Sequence, residues 1–132
     1  MADELKFTGE RFVPGIEGEI VYEHVHRYAF ALRHAAGRRV LDVACGEGYG
    51  SAILAGAARE VVGVDVDGPT VAHARERYAA HRNLSFVEGS AAALPLPDAS
   101  VDLVVSFETI EHLDAADQPL MLAEIARVLV PD

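Results

Sequence analysis

The chain has 132 residues, with 11 lysines and arginines against 21 aspartates and glutamates and a net charge of −10, a length that suits one compact domain burying roughly two-thirds of its unfolded surface. The acidic balance and the lack of a long basic run disfavour nucleic acid as a partner but leave a small anionic metabolite open, because local fields differ from the total charge. Cys45 is the sole cysteine, which excludes an intrachain disulfide, and the apolar stretches stop short of membrane length behind an amino terminus (MADELKFTGE) without signal-peptide character; a cytoplasmic protein without membrane insertion is expected.

In chain order, residues 8–18 read as a loop punctuated by Gly9, Pro14, Gly15 and Gly18. A helix follows, with Val21, Val25, Tyr28, Ala29, Leu32, Ala35 and Ala36 at helical spacing until Gly37 stops it. Strands are predicted at residues 40–44, 61–66, 84–88 and 101–107. Helices are predicted at 49–58, 69–81 and 118–130, the last with Met121, Leu122, Ile125, Val128 and Leu129 on one face. Nearly continuous apolar strands alternating with helices imply an α/β domain whose parallel sheet is covered on both faces. No repeat or low-complexity linker divides residues 1–132.

Residues 40–51, VLDVACGEGYGS, join an apolar strand carrying Asp42 to a glycine-rich turn and a helix start. Glycines at 46, 48 and 50 let the main chain bend and approach a ligand, and the helix start offers free N–H groups. A dinucleotide loop asks for G-x-G-x-x-G after an all-apolar strand. Counting from Gly46, the last place holds Ser51 and the strand holds Asp42, so a nicotinamide cofactor is disfavoured. Asp42 suits a positively charged ligand end, or a loop held through its own N–H groups. Nineteen residues after Gly46, the run VVGVDV carries Asp65 at the spacing that places an acid on both ribose hydroxyls of a nucleoside. The alternative, that Asp65 only turns the chain and caps the next helix, competes with Asp67 and Gly68, which are better placed for a cap. Cys45 lies in the turn with no histidine beside it, so a nucleophilic role is disfavoured.

The glycine-turn residues resemble motif I of the class I S-adenosylmethionine-dependent methyltransferases. The resemblance covers almost the whole chain, from GERFVPG at 9–15 through EGSAAALPLPDASVDLVVSFETIEHL at 88–113 to RVLVPD at 127–132. It implies a Rossmann-like, doubly wound parallel sheet of order 3-2-1-4, with residues 1–37 as an amino-terminal cap and 38–132 as the cofactor-binding half. The implied cofactor contacts are Arg11 on the cofactor carboxylate, then Asp42, Ala44, Gly46, Gly48, Asp65, Val66, Ser90, Ala91 and Phe107. Ser90 stands where the family usually has an acid for the adenine amine, and a hydroxyl accepts that bond more weakly; Ala91 would offer its backbone N–H. Tyr28 and His24, four apart on the cap helix, share a face. Arg11 can equally be a solvated loop charge and Tyr28 a core residue with a polar tip.

Glu108, Glu111 and His112 follow the fourth strand, where ligands of open α/β sheets gather. Methyl transfer needs an acceptor held in line and water excluded, and His112 is the natural base if the acceptor must lose a proton. The Glu-x-x-Glu-His spacing also resembles metal-assisted members of the family, so Mg²⁺, Mn²⁺ or Zn²⁺ is possible there without being favoured; a helix start with dipole-stabilising acids is the third reading. The family continues into further strands that this sequence lacks. An unpaired fourth strand is therefore expected to be covered, by the rest of a longer polypeptide or by a second copy in a homodimer. The reaction implied is methyl transfer to a small-molecule or glycan-type acceptor. A non-catalytic module keeping the cofactor fold, and a nicotinamide-dependent oxidoreductase, are the alternatives.

Overall fold

The computed structural model describes residues 19–107 and 109–131, with side chains from residue 25 onward. Helix α1 (Glu19–Ala35) leads into β1 (Arg39–Val43), α2 (Tyr49–Ala55), β2 (Glu60–Asp65), α3 (Gly68–Arg77), β3 (Leu84–Glu88), β4 (Leu103–Val105), a 3₁₀ turn (Ile110–His112) and α4 (Asp117–Val128). All pairings are parallel and the sheet order is β3-β2-β1-β4, as the resemblance implied. Strands β1, β2 and β4 are rich in valine, whose β-branched side chain fits both faces of a pleated surface.

Strand alternation sorts the core into two layers. Val40 and Val61 face Tyr28, Ala31 and Ala35 of α1 and Leu54 of α2, and on the same side Phe86 meets Val71 and Ala74 of α3. Leu41, Val43 and Val64 face the other way, onto Leu94, Met121 and Val128. Three helices thus cover one face, and α4 with the loop after β3 covers the other. At the end of the sheet remote from the strand carboxyl termini, Arg39 clasps β1 to β4. Its backbone N–H and guanidinium both donate to Asp102, at 2.9 to 3.1 Å, and these bonds hold the Asp102 carboxyl down at about 2.

The elements differ from the predicted ones mainly at their ends. Residues 56–58 leave α2 early, and α3 ends at Arg77 rather than near His81. The fourth strand is shorter than 101–107, because Val101 instead bridges to Leu129 beyond α4. Asp67 caps α3, its carboxylate accepting from the Thr70 N–H at 3.1 Å and from the Thr70 hydroxyl. The cap is therefore not the task of Asp65. On α1 the buried stripe is Tyr28, Ala31 and Ala35, while Val25, Ala29 and Ala36 are exposed. On α4, Leu122 points to solvent, 58% exposed, because only Met121 and Val128 meet the sheet fully.

Candidate functional site

The loops leaving the carboxyl ends of β1, β2, β3 and β4 enclose two adjoining recesses that share Ala44. The larger, about 240 Å³, is walled by Val43, Ala44, Val64, Asp65, Val66, Gly89, Ser90, Ala91, Thr109, Leu113 and Asp117. The smaller, about 40 Å³, lies between Tyr28, Ala44, Cys45, Gly46, Tyr49, Gly50 and Phe107. Six of the sequence-predicted residues, Ala44, Gly46, Asp65, Val66, Ser90 and Ala91, come together here, and Phe107 closes the smaller recess edge-on to Tyr28 at 5.1 Å between ring centres.

Backbone conformation marks the junction. Ala44 has φ 62, a left-handed geometry that costs a residue with a Cβ about 1 kcal/mol. An exposed alanine held in this conformation between two recesses is the kind of local strain that gathers at ligand sites. Gly46 (φ 57) and Gly48 (φ 88) continue the turn without that cost.

Asp65 is fixed from below. Its Oδ2 accepts from the Gly46 N–H at 2.9 Å and its Oδ1 from the Asp67 N–H at 3.0 Å. One bond on each oxygen leaves a second lone pair on each, so the carboxylate is held in place and can still receive two hydroxyl groups. Beside it Val66 is 73% exposed, an apolar side chain kept in water at the mouth of the larger recess, where the face of a flat ring would cover it. The Ser90 hydroxyl accepts from the Ala92 N–H at 3.1 Å.

Asp42 lies elsewhere than the sequence suggested. Alternation places it on the same face as Val40, beneath α1 and α2, and it is fully buried and lines neither recess. The Tyr28 hydroxyl donates to both its oxygens, at 3.2 and 3.1 Å, and the Ser51 hydroxyl donates at 2.7 Å. Asp42 and Ser51, the two departures from a dinucleotide loop, are thus partners of one another. The loop N–H that the sequence offered to Asp42 goes to Asp65 instead. Burial pushes the Asp42 carboxyl up to about 7, assisted by the charge of Asp65 and opposed by the two hydroxyl donors. Burial, then the charge of Asp42, also raises the Tyr28 phenol. Tyr28 is accordingly a core residue whose polar tip is satisfied inside the protein.

The other two loop glycines are reserved for packing. A Cβ on Gly48, which lines neither recess, would stand 2.6 Å from the Phe86 ring. A Cβ on Gly50 would stand 2.0 to 2.2 Å from the ring of Tyr28. Just before Gly48, Glu47 is 4% exposed, with one oxygen 3.3 Å from His73 Nδ1 in an approach too misaligned for a hydrogen bond. Cys45 is buried and its thiol is pushed well up, chiefly by burial, which suits packing and not nucleophilic attack.

Glu111 and His112 occupy the exposed 3₁₀ turn after β4, with His112 Nε2 3.8 Å from Glu111 Oε1. They line neither recess, but the turn stands between Thr109 and Leu113, which both line the larger one. Glu108, Arg11 and the side chain of His24 lie outside the described residues. Among the described residues no group of three or more His, Cys, Asp or Glu side chains could hold a metal ion. The sequence reading missed Thr109, Leu113, Asp117 and Tyr49. The first two flank the turn that carries Glu111 and His112, and nothing in their side-chain chemistry marks them as wall residues.

The chain matches a family model described as a methyltransferase domain over residues 40–132. A curated relative from Mycolicibacterium smegmatis, named "Probable S-adenosylmethionine-dependent methyltransferase", is 47% identical over 129 residues, covering 96% of this chain and 48% of its own. A fatty-acid O-methyltransferase of the same organism is 34% identical over 118 residues, covering 83% and 42% respectively. The solved Haemonchus contortus phosphoethanolamine N-methyltransferase 1, in complex with phosphoethanolamine and S-adenosylhomocysteine, superposes with a TM-score of 0.73 at 27% identity, over 83% of this chain and 24% of that one. The chain thus spans about half the length of these curated relatives. With the parallel sheet order β3-β2-β1-β4 in agreement, the chain belongs to the methyltransferase domain family of class I fold.

Proposed function

We propose that these residues form the cofactor-binding half of a methyltransferase acting on a small-molecule or glycan-type acceptor. The observation that carries the cofactor placement is the pair of recesses meeting at Ala44, with Asp65 held by two N–H groups at the junction's β2 side. Asp65 receives the ribose hydroxyls, Val66 and Ala91 flank the base, and Gly46, Tyr49 and Phe107 border the methionine end. The cofactor supplies an electrophilic methyl group on a sulfonium. The protein's part is to hold the cofactor and acceptor in line and to exclude water.

Small-molecule acceptors have support in the names of two similar proteins, which act on a fatty acid and on phosphoethanolamine. Glu108, Glu111 and His112 are proposed to meet the acceptor, with His112 removing its proton where one must leave. The turn that carries Glu111 and His112 follows closely on Phe107, which borders the smaller recess, and this supports the placement. The edge of β4 and the neighbouring face of α1 form an apolar recess of about 210 Å³, with Phe30 58% exposed. In a preparation of this chain a second copy is proposed to cover it.

Thermal unfolding with S-adenosylhomocysteine, with NADH and with neither tests the cofactor assignment. A ligand at a hundred times its Kd stabilises by about 2.7 kcal/mol, so the melting temperature should rise with the first ligand alone. A rise with NADH alone refutes the proposal.

A further inference from the structure

The loop between β3 and β4 supplies one wall of the larger recess through Gly89, Ser90 and Ala91. Irregular backbone at a binding site keeps a single shape only where its polar groups are held. Here they are held from α4. Arg127, in the last turn of that helix, lines neither recess, yet all five of its guanidinium N–H groups go to this loop and to the glutamate that anchors it. Nη2 donates to the Leu94 carbonyl at 3.0 Å, and Nη1 donates to the Leu96 carbonyl at 2.8 Å and to Asp98 at 2.7 Å. Nε and Nη2 clasp Glu124 at 2.6 and 3.0 Å, and the same Glu124 accepts the Leu94 N–H at 2.8 Å. The two held carbonyls bracket Pro95, whose ring packs on the wall: a Cβ added to Gly89 would stand 2.8 Å from it. Between these points the N–H groups of Ala92 and Ala93 close the turn onto Ser90, each at 3.1 Å.

We propose that Arg127 is a positioning residue for the cofactor site, fixing the backbone of Gly89, Ser90 and Ala91 through Pro95 and the bonds to Leu94. The inference rests on the cofactor lying in the two recesses. Burial of Leu94 against the sheet sets the depth of the loop at one point. The guanidinium sets its direction there, because it grips a carbonyl on each side of Pro95. Lysine cannot substitute, since an ammonium offers three donors from one point where a fork offers five. A loop freed from Arg127 holds the binding arrangement for only part of the time, and the apparent Kd rises by the inverse of that fraction.

Calorimetric titration with S-adenosylhomocysteine, read beside amide hydrogen exchange, tests it. Arg127→Ala should weaken binding about ten-fold, the effect of a competent fraction of about one-tenth. Arg127→Lys, which keeps the charge at the helix end and guards against a folding defect in the alanine variant, should also weaken it, by a smaller factor. In both variants the amides of Ala92, Ala93 and Leu94 should exchange faster than in the wild type, and saturating ligand should slow them again. Arg39→Ala is the control. It removes the other guanidinium clasp, on Asp102 at the far end of the sheet, and should lower the urea midpoint without changing the Kd. Arg127 variants that bind as tightly as the wild type, or that lose no more affinity than Arg39→Ala does, overturn the role of Arg127 and leave the cofactor site standing. Failure of the wild type to bind S-adenosylhomocysteine overturns the placement on which that role depends.

Discussion

Replacing Asp42 by asparagine should change how stability depends on pH. Asp42 is fully buried, and its carboxyl is raised from 3.8 to about 7. Between those values the folded protein keeps a proton that the unfolded chain has released, so stability falls as pH rises through this window and levels off above it. The size of the shift corresponds to roughly 4 kcal/mol, a large share of the 5–15 kcal/mol that holds a typical domain folded. Asparagine has no such titration. Both partners of Asp42 are hydroxyls, which can turn round to accept from an amide as readily as they donate to a carboxylate, so the variant should pack without strain. Urea unfolding of both proteins from pH 4 to 8 gives the difference directly, and titrations common to both cancel. The stability of Asp42→Asn relative to wild type should grow by up to about 4 kcal/mol between pH 4 and 7 and then stay constant. A constant packing difference would offset the two curves without tilting one against the other. Parallel curves across that range would refute the reasoning.

Four further outcomes are expected. Asp65→Ala should weaken S-adenosylhomocysteine binding by about 1.5–3 kcal/mol in calorimetry, the worth of charge-assisted bonds to the ribose; unchanged affinity in a folded variant removes Asp65 from the site. Gly50→Ala, whose Cβ would lie 2.0 to 2.2 Å from the Tyr28 ring, should destabilise by about 1–3 kcal/mol or more, and much less in a Tyr28→Ala background, as urea midpoints will show. In a polypeptide carrying this chain, a rate that falls sharply in a His112→Gln variant and ignores chelator supports His112 as base; loss with chelator and return with Mg²⁺ or Mn²⁺ supports a metal at Glu108, Glu111 and His112. Light scattering of the 132-residue chain at tens of micromolar, where modest interfaces associate, should give a dimer; a monomer defeats that proposal.

The order of elements was legible because each strand is a short apolar run and each connection carries its own turn residues, whereas the order of strands in the sheet came from the family resemblance. Asp67 before Gly68-Pro69, for example, announces the α3 cap in sequence alone. Asp65 was legible from its spacing to Gly46. Asp42 was misplaced although its position could be read: it is two residues from Val40, so the same pleat that buries one buries the other. What the sequence withheld was tertiary. Leu122 has the spacing of a core residue, yet α4 meets the sheet only along Met121 and Val128. Thr109, Leu113 and Asp117 line the site because the chain after β4 turns back over the sheet, and no local pattern encodes that return. The role of Gly50 likewise depends on a ring 22 positions earlier in the chain.

That missing Cβ has a mechanical consequence. The Tyr28 ring enters the space that a side chain at position 50 would fill, and its hydroxyl ends on Asp42. Successive residues of a helix point about 100° apart, so sliding α1 by one residue would swing the ring out of the notch and put a neighbour against a backbone with no room for it. The helix can leave its seat, but it cannot creep along it. Because the notch is cut in the first turn of α2, directly after the glycine loop, the fit of one ring sets the register of α1 against that loop.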